Sequence, residues 1–254
     1  MRLLLFGFLA TSAAAATHPS QLKFVLYYPQ VPPYMYTNLD SEQVDGVVPQ
    51  LLAEFFAQQH ISIKYVIDNR KGAEFRLYQG DVDAMLMAAS WAQYPDKLIF
   101  SAPLLEHRDY LYSLQPFKDS IPIEKQLNNA SICTRQYYVY EALEPYFALG
   151  AKRVDASSEQ AQMRMLISGR CDYAYMNEHV SSWLQYSQFP SIRIYHSKQS
   201  FGHVGLTVAF HPKWADILPA LNSYLQQQQT SGRLQRVLQQ ELQKKGRFTP
   251  APES

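Results

Sequence analysis

The chain of 254 residues is long enough for one large domain or two lobes of ordinary size. Hydrophobic residues at 47% and charged residues at 18% supply a core, which excludes wholesale disorder. A net charge of +1 gives no electrostatic reason for nucleic acid or an anionic membrane as partner, and 18 Tyr offer rings with polar tips suited to a recognition cleft.

The N-terminus reads as a secretory signal: Arg2, the apolar run Leu3–Ala10 and the small residues Ala13–Ala16. The pattern predicts residues 1–16 as a signal peptide, cleavage before Thr17, and a soluble mature protein in the periplasm. The alternative, a membrane anchor, needs about 20 apolar residues, more than this run supplies. Two cysteines, Cys133 and Cys171, remain. In an oxidising compartment they predict one disulfide, with two buried thiols as the alternative. No His stands at zinc-ligand spacing beside either, so neither a metal nor another cofactor is expected.

Leu22–Tyr28 reads as a buried strand before the turn-forming Pro29 and Pro32-Pro33. Gly46 precedes a helix whose stripe is Val48, Leu51, Leu52, Phe55 and Phe56. Ile61–Asp68 alternates as a strand, with Ile61, Ile63, Tyr65 and Ile67 on one face. A short helix from about Ala73 to Gln79 ends at Gly80, and Val82–Ala88 is an apolar strand. This succession predicts a parallel sheet with covering helices. The rhythm restarts with a strand at Ala130–Thr134 and a helix over Tyr137–Leu149. Ser157-Ser158-Glu159-Gln160 reads as a capping box for a helix closing at Gly169. A strand Cys171–Met176 and a helix Asn177–Ser187 follow. Tyr110–Leu114 and Val204–Phe210 are extended connectors, and helices around Ala215–Gln229 and Ser231–Lys244 close the chain.

In order and spacing, a set of motifs carries a resemblance along nearly the whole mature chain. They are Pro32-Pro33-Tyr34, Gly46 opening a helix, QGDVDAMLMAAS (Gln79–Ser90), FSAP (Phe100–Pro103), SGRCDYAYMNE (Ser168–Glu178), FGHVGLTVAFHP (Phe201–Pro212) and SGRLQRVLQQEL (Ser231–Leu242). The chain resembles the family 3 extracytoplasmic solute-binding proteins, receptors of amino-acid importers. The resemblance implies an α/β, two-lobed type II periplasmic-binding fold with two hinge-crossing strands. Residues 17–108 and 203–246 then form the first lobe, 109–202 the second, and 247–254 a frayed tail. It also implies Cys133 and Cys171 on neighbouring strands, a small polar ligand (amino-acid-like or a small organic anion), a membrane permease of an ABC importer as partner, and a monomer. The ligand belongs in the crevice at the strand ends.

By position the resemblance assigns Tyr34 to ring packing on the ligand, and Ala88, Ala89 and Ser90 to backbone and hydroxyl contacts. Trp91 is a cleft wall or a cap on the core; Thr134 and Arg135 end a strand before a helix N-terminus that would attract an anion. Two departures stand out. The family's carboxylate-clamping Arg falls near Pro95, where there is none, leaving Lys97, Arg70 or Arg108 as substitutes. The family's ammonium-pairing Asp falls on Asn177, beside Glu178. G-x-S-x-G, P-loop and H-E-x-x-H patterns are absent, and the seven His are scattered. Adjacent Glu178 and His179 diverge on a helix. A receptor that catalyses nothing is therefore expected; a periplasmic dehydratase-type enzyme and a sensor for a membrane partner are the alternatives.

Overall fold

The computed structural model describes residues 19–136 and 138–244. The expected signal segment 1–16 and its expected cleavage before Thr17, the first residue of the helix expected at Tyr137, and the expected frayed tail 247–254 lie outside the described residues. Thirteen strands and eight α-helices follow one another in it. The chain opens with β1 (Gln21–Tyr27), the ribbon β2 (Tyr36–Asn38) and β3 (Gln43–Asp45), and α1 (Val47–Gln58). Then come β4 (Ser62–Asp68), α2 (Arg70–Gln79), β5 (Ala84–Leu86) and β6 (Ile99–Phe100). These strands, with the late β13 (Val208–Phe210), make a sheet ordered β4-β1-β5-β13-β6, in which β4, β1 and β5 are parallel.

Helix α1 forms where its apolar stripe requires. Val48, Leu51, Leu52, Phe55 and Phe56 are all buried, each burial favourable by about 1.5–3 kcal/mol. Its start depends on Gly46, whose φ is 119° and whose absent Cβ would lie 2.5 Å from the Tyr34 carbonyl oxygen. The first helical N–H groups, of Val47 and Val48, donate to the carbonyls of Pro33 and Tyr34 at 3.0 and 3.1 Å. Pro32-Pro33-Tyr34 is thus fastened to the helix start. Helix α2 begins three residues earlier than expected, because Asn69 caps it by accepting from the Gly72 N–H at 2.9 Å. Strand β4 is the sheet edge, so Ile67 is 63% exposed rather than packed with its face.

The chain then crosses into a second sheet as strand β7 (Leu105–Ser113), so Tyr110–Tyr112 of the expected connector Tyr110–Leu114 are paired inside that sheet. After it come α3 (Ile123–Leu127), β8 (Ser131–Arg135), α4 (Glu144–Ala148), β9 (Lys152–Ala156), α5 (Glu159–Ile167), β10 (Tyr173–Asn177), α6 (Glu178–Gln188) and β11 (Tyr195–His196). The second sheet is ordered β11-β7-β10-β8-β9, with β12 (Gly202–Leu206) also paired to β7. Only Thr207 separates β12 from β13 (Val208–Phe210), which returns to the first sheet antiparallel to β5 and β6. The two crossings run side by side: Leu104 N–H donates to Leu206 O at 2.8 Å and Ser101 N–H to Val208 O at 2.9 Å. Helices α7 (Leu218–Thr230) and α8 (Arg233–Leu242) complete the first lobe, with Tyr224 donating its hydroxyl to Leu51 O at 3.1 Å.

Two local expectations fail for physical reasons. The helix over Tyr137–Leu149 shrinks to α4. The Tyr140 hydroxyl accepts from the Arg135 N–H at 3.0 Å and its ring packs on Tyr175 at 5.0 Å, holding this stretch off a helix. Among the described residues, the next helix N-terminus after Thr134 and Arg135 is that of α4 at Glu144. The capping box over residues 157–160 is also not formed. Ser158, not Ser157, is the cap, accepting from the Ala161 N–H at 3.1 Å, and Gln160 bonds to Gln188. The Cys133–Cys171 disulfide is present.

Candidate ligand cleft between the lobes

The lobes meet through a buried polar latch beside the crossing strands. Tyr34, carried on the loop fastened to α1, is 1% exposed and donates its hydroxyl to Oδ1 of Asn177 at 2.7 Å. Nδ1 of His179 lies 3.1 Å from the same hydroxyl. Since that hydroxyl donates to Asn177, His179 donates to it in turn. Asn177 also caps α6, accepting from the N–H groups of His179 and Val180, and it donates to the Arg108 carbonyl at 3.1 Å. Burial, then the nearby positive charge of His107 and Arg108, lowers the His179 pKa to about 4. Burial, followed by the Asp109 and Glu178 charges, raises that of Tyr34 well above its usual range, so both are neutral at pH 7. His107 on β7 pairs with Asp109 at 3.1 Å and packs against Trp91 at 4.9 Å.

A second region, rich in aromatic and charged groups, follows the seam away from the hinge. Its first-lobe side is Tyr27, Arg70, Met87 and Trp91. Arg70 donates from Nη2 to Trp91 O at 2.8 Å, and its guanidinium lies 5.7 Å from the Trp91 ring. The second-lobe side is Arg135, Tyr138, Tyr140 and Glu159. Arg135 is ion-paired with Glu159 and stacks 5.2 Å from the Tyr138 ring. Burial is the largest single effect and opposes its charge, but Glu159 together with Tyr138 and Tyr140 raises its pKa on balance. Burial raises the Tyr27 pKa, with lesser and mutually opposed effects from Arg70 and Tyr138. Farther along, Pro29, Gln30 and Pro32 face Ser158, Glu159 and Gln160 across a cavity of about 10 Å³, room for one water.

The residues assigned from sequence fall into separate places. Tyr34 and Asn177 come together, as the latch. Ala88 is buried, while Ala89 and Ser90 are exposed in a short 3₁₀ turn that ends at Trp91. Trp91 touches both His107 and Arg70 and also packs against the core. Thr134 is wholly buried and donates its hydroxyl to Asp155 at 3.0 Å. Among the substitute cations, Lys97 lies over the Tyr94 ring at 4.4 Å and Arg108 is 3.7 Å from Glu178. Arg70 alone of the three lies against Trp91. Sequence reasoning missed Tyr27, Tyr138 and Glu159, whose partners lie in other elements. Among the described residues, no group of three or more His, Cys, Asp or Glu stands together to hold a metal. No helix among them is long and apolar enough to cross a membrane.

Two α/β lobes joined by two crossing strands define the type II periplasmic-binding fold. Solved structures share it. A binding component of an ABC transporter from Wolinella succinogenes, complexed with lysine, superimposes with a TM-score of 0.75 at 16% identity, over 88% of this chain and 96% of that one. An ancestral amino-acid-binding protein, a precursor of cyclohexadienyl dehydratase, gives 0.71 at 16% identity over 88% and 96%. The GluR0 ligand-binding core in complex with L-glutamate gives 0.70 at 11% identity over 90% and 100%. At such identities the likeness is one of fold. No protein-family model matches the sequence, and no curated protein matches it significantly.

Proposed function

We propose that the protein is a periplasmic receptor that closes its two lobes on a small polar ligand and presents the closed form to the membrane permease of an ABC importer. The observation that carries this reading is the pair of adjacent crossings at Ser101–Leu104 and Leu206–Val208, the only link needed for a hinge between two sheets. In this reading residues 1–16 are removed on export. The first lobe is 17–108 with 203–246 and the second is 109–202, boundaries that face each other at the Asp109–Gly202 register pair. The receptor acts as a monomer. Ala88, Ala89, Ser90 and Trp91 line the first-lobe wall and Thr134 and Arg135 belong to the second, while Tyr34 and Asn177 hold the lobes closed beside the ligand.

Catalysis is not part of this reading. His179 has its Nδ1 on Tyr34 and its Nε2 3.8 Å from Glu178, which is itself 3.7 Å from Arg108, so this group lacks a nucleophile beside the imidazole and serves the latch. Native mass spectrometry of gently purified protein, paired with small-angle scattering before and after ligand removal, tests the proposal. A co-purified small molecule whose removal expands the particle is expected. Turnover of that molecule by the purified protein, or a shape indifferent to every solute tried, refutes it.

A further inference from the structure

We propose, building on the receptor reading, that the ligand is a carboxylate-bearing anion that needs no ammonium group. Arg70 of one lobe and Arg135 of the other grip it, and Glu159 gives up Arg135 as the ligand arrives. The argument rests on hydrogen-bonding supply. Each guanidinium offers five N–H donors in a planar fork. Arg70 uses Nη2, on Trp91 O at 2.8 Å and Met87 Sδ at 3.2 Å, and its buried Nε has no acceptor. Arg135, its side chain 8% exposed, uses Nη1 on Glu159, and its buried Nε likewise has none. Each fork lies on one aromatic ring, which occupies a face and leaves the edge. Such an edge matches a carboxylate in two parallel bonds.

The acceptors on the same walls are scarcer. Glu74 accepts from the Tyr78 hydroxyl and the Gln93 N–H on Oε1, both at 2.6 Å, and turns Oε2 to Arg70 at 3.9 Å, so an ammonium drawn to it would compete with Arg70. Glu159 is committed to Arg135, and a ligand ammonium taking it would strand Arg135 as a buried unpaired charge, a strongly destabilising outcome. A ligand carboxylate does the reverse: Arg135 stays paired, and Glu159 is freed. Glu159 lines the interlobe cavity at the first position of α5, where the helix dipole favours a negative charge without Arg135. The small cavity fits this exchange, because a ligand entering the seam must displace side chains already there.

The test is calorimetric titration of the exported, disulfide-bonded protein at neutral pH and low salt. The probes are straight-chain mono- and dicarboxylates of increasing length and benzoate. Controls are succinamide against succinate, and L-glutamate and L-alanine against glutarate and propionate. A carboxylate without an ammonium group binds saturably, and its amide binds at least about tenfold more weakly. Arg70→Gln and Arg135→Lys each weaken it about tenfold or more, as loss of a charged bidentate partner does. Glu159→Gln tightens it several-fold. If Arg135→Lys does not fold, Arg70→Gln and Glu159→Gln carry the test. Zwitterions binding more than tenfold better than their deaminated counterparts overturn the ligand class and leave the receptor standing. So does weaker binding by Glu159→Gln. If no probe of any class binds, the receptor reading falls with it.

Discussion

The Tyr34 hydroxyl reaches across the lobe boundary to Asn177, 143 residues away in sequence, at 2.7 Å. Asn177 stands where the resembling family places an aspartate. An aspartate would bring a full charge into a pocket that also holds Asp109 and Glu178. The amide cancels that charge and uses both its ends, one on three donors and the other on the Arg108 carbonyl. The amide thus serves at once as interlobe latch and as helix cap.

Tyr34→Phe removes the latch with little change in volume. His179 Nδ1 loses its buried acceptor, so a cost of about 1–2 kcal/mol is expected. For a chain of this size that lowers Tm by roughly 2–4 °C per kcal/mol. Calorimetric melting reads the cost, and scattering should show a more open ensemble. An unchanged Tm would mean that the latch contributes nothing.

The pH dependence follows from His179. Its pKa in the folded protein is lowered to about 4 from the ordinary 6.5, so the folded state disfavours the proton and the unfolded state takes it first. Stability is therefore intact above pH 6.5 and falls as pH drops from there toward 4. The facing groups are Tyr34, Glu178, His107, Arg108 and Asp109, and the charge of His107 adds to the effect on protonation. Nuclear magnetic resonance titration of the His179 Cε1 proton should give a midpoint well below 6. His179→Gln should flatten the acid limb of the Tm profile; an unaltered limb assigns it to carboxylates instead.

Much of the first lobe was legible because its signals are local. Val48, Leu51, Leu52, Phe55 and Phe56 fall on one stripe within twelve residues, and Gly46 marks the start. One crossing was legible as well, the apolar extended run Val204–Phe210; the other was not, because Tyr110–Leu114 reads as a connector yet pairs inside the second sheet, while the chain crosses at Ser101–Leu104. The seam was not. Arg135 is buried because Glu159, 24 residues on, neutralises it, and nothing beside Arg135 in sequence announces that. Tyr140 likewise prevents a helix through a bond to a backbone N–H five residues before it. Long-range pairing of polar groups leaves no periodicity to read.

The Cys133–Cys171 bridge closes a loop with a sequence separation of 38. In the chain-entropy model such a loop is worth about 4 kcal/mol. Reduction, or Cys133→Ala with Cys171→Ala, should therefore lower Tm by several degrees. Intact mass of the exported protein should correspond to a start at Thr17 less two hydrogens. Two freely alkylated thiols in unreduced material would rule the bridge out.

The hinge offers the last prediction. Gly205 lies on β12 opposite Glu106, and a Cβ added to it would stand 2.8 Å from Cγ of Pro103, on the other crossing segment. The proline ring is covalently fixed and cannot swing aside, so the two crossings must part. Gly205→Ala should cost about 1–3 kcal/mol, as overpacking does. It should also change the angle between the lobes, because the wedge falls where both connections pass. Gly205→Ala with Pro103→Ala removes the nearer ring atom but keeps Cβ at 3.0 Å, and should restore Tm and the scattering profile in part. If the single variant melts and scatters as the parent does, the crossings have more freedom than this packing implies, and closure is governed elsewhere along the seam.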